Sequence, residues 1–205
     1  MKRFPTQASV LLCCVIAIVA YAGEPQPAGS APQSVPPELI RFHGHECPGV
    51  TIGYRMAQEA MKAVPADGKL AAIVENRTCG VDALQWVTGC TAGKSNLIFK
   101  DYGKQAYTLY STETKKGVRI VFDGQKVPEE VRKDKAAFIK WLMTTDASAF
   151  LTIKPVEVNE PVAERTKESA PCSVCSESVS LTYLREVAGK KMCVPCSEKD
   201  ASAGK

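Results

Sequence analysis

Two C-x2-C pairs near the C-terminus constrain the fold more than any other feature of this chain. Cys172-Ser-Val-Cys175 and Cys193-Val-Pro-Cys196 stand 17 residues apart, which is the spacing of a four-cysteine zinc site. Each pair forms a knuckle that presents two sulfurs, so the chain between them must turn back on itself. Residues 179–187 and the Gly189-Lys190-Lys191 turn suit a short hairpin there. A module this small has little core of its own, and a structural zinc ion would supply its folding energy. Two disulfides are the alternative use of the same four sulfurs.

The second constraint lies near the other end. Phe42-His43-Gly44-His45-Glu46-Cys47-Pro48-Gly49 holds both histidines of the chain and a cysteine. Histidine and cysteine are the preferred protein ligands of zinc and similar metals. Their concentration in one five-residue window marks a metal-binding centre. Pro48 suits the first position of a helix, where its missing N–H is no loss. Cys47 then falls at the N-cap, where the helix dipole and free N–H groups favour a thiolate.

The first 22 residues read as a secretory signal: Lys2 and Arg3, an apolar run over residues 9–19, and Ala20-Tyr21-Ala22 before Gly23. The run is short for a membrane span. Cys13 and Cys14 would leave with it, and the nine cysteines would become seven in an exported, periplasmic or extracellular protein. An odd number leaves at least one free thiol or metal ligand. Net charge is +4, and +2 without Lys2 and Arg3. That balance gives no reason to expect nucleic acid as a partner. A small-molecule or metal ligand is the expected partner, with a homodimer left open.

Residues 23–37 carry five prolines and almost no charge, and read as a linker. The first helix is expected from Pro48 or Gly49, with Val50, Tyr54, Ala57, Met61 and Val64 on one apolar face. A strand is expected over residues 70–75. A helix over residues 80–88 follows, preceded by Cys79 and closed by Gly89, with Cys90 directly after. Strands are expected over 97–101, 106–112 and 117–122. One helix should open at Pro128, with Val131, Ala137, Phe138, Trp141 and Leu142 inward, and a last strand should span 150–158. The order helix, strand, helix, three strands predicts an α+β domain with a mixed sheet over residues 38–158. A polar linker over 159–171 leads to the four-cysteine module at 172–196. Gly89-Cys90-Thr91-Ala92-Gly93-Lys94-Ser95 is one residue short of a P-loop and leaves a helix where a P-loop leaves a strand, which excludes nucleotide binding there.

FHGHECPGVTIGYRMAQEAM, then CGVDALQWVTGCTAGKSNLIFKDYGKQAY, then the four-cysteine module, resemble the FmdE family of formylmethanofuran dehydrogenase proteins. The resemblance implies a core grouped with the catalytic domain of glyceraldehyde-3-phosphate dehydrogenase. It implies a metal, zinc or another transition metal, held among His43, His45, Cys47, Cys79 and Cys90. Since five groups cannot share one tetrahedral ion, Cys47 and Cys90 with one or both histidines are the favoured set, and Cys79 is the outside candidate. Three protein ligands would leave one position open. Lys94 would meet an anionic ligand or a helix C-terminus, and Asp82 and Gln85 would orient the ligands. Three functions fit this pattern. The first is an exported metal-binding protein with an open site and a structural zinc site. The second is a zinc-dependent hydrolase or lyase with Glu46 or Asp82 as base. The third is a thiol–disulfide redox protein using Cys47 with Cys79 or Cys90.

Overall fold

The computed structural model describes residues 34–64, 68–162 and 166–203. The expected signal segment and all but the end of the proline-rich linker lie outside the described residues. One helix stands ahead of the first expected one: α1, Pro37–His43, closed by Gly44 at φ 99. Val35, read from composition as linker, is 2% exposed and packs with Leu39. Proline at a helix start looks like linker composition, yet its fixed φ suits the first turn.

Helix α2 spans Pro48–Ala63, and its N-cap Cys47 accepts a hydrogen bond through Sγ from Val50 N. Val50, Tyr54 and Ala57 are buried as expected, but Met61 is exposed and Met56 and Ala60 are buried instead. The difference arises because α2 is covered on more than one side, by α3 (Gly80–Thr88) and by α5 (Lys135–Thr144).

Strand β1, Leu70–Val74, runs through α3 into β2, Leu97–Phe99, and the two strands pair in parallel. Then β3 (Ala106–Ser111), β4 (Lys116–Phe122) and β5 (Leu151–Glu157) add antiparallel neighbours, giving the order β2-β1-β3-β4-β5. This is the expected α+β fold with a mixed sheet. Alternation along the strands sends Ala72, Val74, Tyr107, Leu109, Val118 and Ile120 into the main core with Met56, Leu84 and Leu142. Because α3 is the crossover between two parallel strands, its N-terminus lies at the carboxyl end of β1, the edge where such units bind ligands.

The single helix expected from Pro128 is two: α4, Glu129–Arg132, and α5. Asp134 leaves helical geometry between them, and its carboxylate accepts from Ala137 N at 2.6 Å. The register therefore shifts, and Ala137 is exposed where burial was expected. Arg55 of α2, 3% exposed, closes the other end of α5. Its Nη1 donates to the carbonyls of Leu142 and Met143 at 2.6 and 3.1 Å, and its Nη2 to that of Thr145 at 3.1 Å. Those carbonyls have no partner within the helix, so a buried cation satisfies them while tying α5 to α2.

The C-terminal module pairs β6 (Ser169–Pro171) with β7 (Ser178–Ser180) and β8 (Leu184–Val187) with β9 (Lys190–Cys193), followed by α6, Val194–Ala203. The β8–β9 turn passes through Ala188 and Gly189 at φ 48 and 73. Among the described residues no helix is long and apolar enough to cross a membrane.

Candidate metal centres

Three elements meet at the first centre: the end of α1, the start of α2 and the start of α3. The closeness of α2 to α3 comes from glycine. A Cβ on Gly53 would lie 2.3 Å from Gly80 Cα, so the two backbones touch with no side chain between. Tyr107 of β3 packs beneath the same spot, its hydroxyl 2.4 Å from where a Gly80 Cβ would be. One turn earlier, a Cβ on Gly49 would lie 3.0 Å from Cys79 Cβ, and 3.6 and 3.8 Å from the sulfurs of Cys79 and Cys47. The approach sets Cys47 and Cys79 side by side. The turn into α3 is held by Asn76, whose Oδ1 accepts from Thr78 N and Thr78 Oγ1 and whose Nδ2 donates to Lys104 O.

His43, at the last position of α1, completes the group. Its Nδ1 lies 2.8 Å from Asp82 Oδ2, and its Nε2 lies 3.7 Å from Cys47 Sγ. The ligand atoms of His43, Cys47 and Cys79 all fall within 4.8 Å of one another. Asp82 is fixed in turn by Gln85, whose Nε2 reaches Oδ1 at 3.5 Å. Asp82 and Gln85 thus stand behind His43, where residues that orient a ligand would have to be.

The other candidates are placed elsewhere. Cys90, favoured over Cys79 from the sequence, is fully buried in the main core among Leu84, Leu97 and Leu109. The nine residues of α3 put about 14 Å of helix between its two bracketing cysteines, so only one of them can reach the α2 N-terminus. Burial pushes the Cys90 thiol up, which suits a core thiol. His45 is exposed, with its ring 4.8 Å from that of His43, outside the three-ligand group. Lys94 donates to Gly89 O at 3.0 Å, so it meets the C-terminus of α3, the second of its two expected roles.

In the C-terminal module the sulfurs of Cys172, Cys175, Cys193 and Cys196 also lie within 4.8 Å of one another. All four are free thiols, and Cys175 Sγ lies 3.9 Å from Cys193 Sγ. The backbone N–H groups of Cys175, Cys193 and Val174 point at Cys172 Sγ and hold its thiol down at about 6. N–H donors aimed at sulfur stabilise the thiolate that a metal ligand must be.

Residues 42–167 match the family described as FmdE, molybdenum formylmethanofuran dehydrogenase operon. This chain belongs to the FmdE family. A solved relative is the FmdE-like tungsten formylmethanofuran dehydrogenase protein from Syntrophus aciditrophicus. It is 30% identical, with a TM-score of 0.63 over 79% of this chain and 90% of that one. A protein of Archaeoglobus fulgidus named "Probable S-adenosyl-L-methionine-binding protein" is 38% identical over 103 residues, 45% of this chain. This chain spans only 28% of that protein's length.

Both ligand groups of this FmdE-family chain could hold a metal ion. A tetrahedral site with Zn–S near 2.3 Å and Zn–N near 2.0 Å has S···N edges of about 3.6 Å and S···S edges of about 3.8 Å. The observed 3.7 and 3.9 Å fit. A carboxylate on Nδ1 also fixes the tautomer that leaves Nε2 free to ligate. Burial, and then the neighbouring Cys47, push the Cys79 thiol up. Two adjacent thiols resist joint ionisation until a cation neutralises them. The glycines that make the centre were not singled out from the sequence. Gly49, Gly53 and Gly80 read as ordinary residues of amphipathic helices, and their one signal is a glycine inside a helix with no cap to make.

Proposed function

We propose that this chain is an exported metal-binding protein whose His43–Cys47–Cys79 centre holds a transition-metal ion, zinc by donor type, through three protein ligands. The fourth position serves a small ligand, and the four C-terminal cysteines hold a structural zinc. The observation that carries this reading is the orientation of His43, held through Nδ1 by Asp82 with Nε2 turned toward Cys47 Sγ. A solvated loop histidine would have no reason to sit with its side chain 8% exposed between a carboxylate and a thiol. Bound there, the metal would act as a Lewis acid toward its ligand. The hydrolase reading finds Asp82 already engaged by His43 and leaves only Glu46 as base. The adjacency of Cys47 and Cys79 favours the thiol-redox reading as the second choice.

Metal analysis tests the assignment. Wild-type protein is expected to carry one ion at each centre. Cys47→Ser, Cys79→Ser and His43→Ala should each lose the first ion and keep the second. Cys90→Ser should keep both, and Asp82→Asn should weaken the first site about 10- to 100-fold. Retention of both ions by Cys79→Ser would sink the proposal. A metal-free wild type with a Cys47–Cys79 disulfide on thiol titration would favour the redox reading. Export is part of the proposal: N-terminal sequencing of the secreted protein should begin at Gly23, and a start at Met1 would remove that part.

A further inference from the structure

A cleft of about 570 Å³ opens between the loop carrying Glu46 and one face of α5, within the size range that holds small organic ligands. Ala136, Ile139, Lys140 and Met143 recur at helical spacing and line that face. Met143 belongs to the small buried cluster of Val35, Leu39, Val50, Tyr54 and Ala83, and Cys47 packs against the same cluster. The cleft and the metal centre therefore share one packed body.

The rim carries both signs of charge. Glu46, directly before Cys47, is half-buried, while Lys135 and Lys140 stand on α5. None of the three side chains has a hydrogen bond or ion pair with a described residue. Asp134, also in the lining, is engaged at its Oδ1 by Ala137 N, so Glu46 is the free carboxylate. Unpaired lysines alone would be an ordinary solvated face. A half-buried carboxylate facing two ammonium groups across a cleft, too far to pair with either, is different. The gap suits a molecule that carries the complementary charge at each end and an apolar body between.

We propose that this cleft binds a small organic zwitterion of the amino-acid class. Its carboxylate meets Lys135 and Lys140, its ammonium meets Glu46, and its apolar chain lies over Ile139 and Met143. This site is separate from the metal and does not depend on the reading above.

Calorimetric titration of the full metal-loaded chain with norleucine, hexanoate and pentylamine tests it. Norleucine should bind at least about tenfold more tightly than either singly charged analogue, because each loses one charge-assisted contact. Glu46→Gln and Lys140→Gln should each weaken norleucine about tenfold, and Lys62→Gln, elsewhere on α2, should not. Norleucine can also chelate a metal through its amine and carboxylate. Ala136→Trp separates the two, since it fills the cleft at an exposed helical position and should abolish binding with metal content and circular dichroism unchanged. The proposal is overturned if norleucine shows no binding, if the three probes bind equally, or if Ala136→Trp binds norleucine as wild type does.

Discussion

Gly53→Ala is expected to lower stability by about 3 kcal/mol, at the upper end of overpacking costs, and to cost the first metal centre its ion. Alanine is normally the better residue in a helix interior, by about 1 kcal/mol over glycine. Here the new methyl would lie 2.3 Å from both Gly80 Cα and Gly80 O, and 2.6 Å from Gly80 C. All three are backbone atoms, so no side chain can swing aside. Steric cost outweighs propensity, and α2 must move away from α3. At about 2–4 °C per kcal/mol for a chain of this size, the melting midpoint should fall by roughly 6–12 °C. The displacement also separates Cys47 from Cys79, since each sits at the start of one of the two helices. Gly49→Ala is the informative comparison. Its methyl would press on Cys79 Cβ at 3.0 Å and crowd both sulfurs, so metal content should drop with a much smaller change in melting. A Gly53→Ala protein that melts with wild type would show that the helix contact is looser than the glycine pairing requires.

The same contact explains what the sequence disclosed and what it concealed. Helix α2 was legible because Pro48 starts it, and α3 because Gly89, at φ 66, ends it. These are local signals, set by one residue's backbone preference. The break at Asp134 was also local, but its cap competes with an unbroken apolar period and was hidden by it. The choice between Cys79 and Cys90 was of another kind. Both flank α3, and nothing within that segment tells which end faces α2. The answer lies in the pairing of Gly53 with Gly80, 27 residues apart along the chain. Asp82 could be placed as an orienting residue because it falls in the first turn of α3, beside Cys79. The partner it orients, His43, was reached only because α1 folds against α3.

Removing metal from the C-terminal module is expected to melt residues 169–203 and leave the α+β domain folded. The module buries only Cys172, Met192 and Cys193, with Val179, Val187 and Cys196 partly covered. Burying one methionine side chain contributes about 1.5–3 kcal/mol, while ordering each residue costs about 1–2 kcal/mol in backbone entropy. A core of that size cannot hold two two-stranded sheets and a helix. A four-thiolate zinc site supplies about 10–16 kcal/mol near neutral pH, and so decides whether the module folds. Cys172→Ser should have the same effect, because Cys172 Sγ receives the N–H groups of Val174 and Cys193 at 3.4 and 3.3 Å as well as serving the metal. Both tryptophans, Trp86 and Trp141, belong to the α+β domain. Their fluorescence should therefore follow a denaturation curve shifted by less than about 0.5 kcal/mol in Cys172→Ser, as for sites without shared partners. Amide exchange of β8 and β9 should rise to that of unprotected chain in the same protein. The decisive control is chelation under reducing conditions, which excludes disulfides as the fastening. If β8 and β9 keep their protection there, the metal is not what folds the module, and packing among its few buried side chains would have to be far stronger than their area allows.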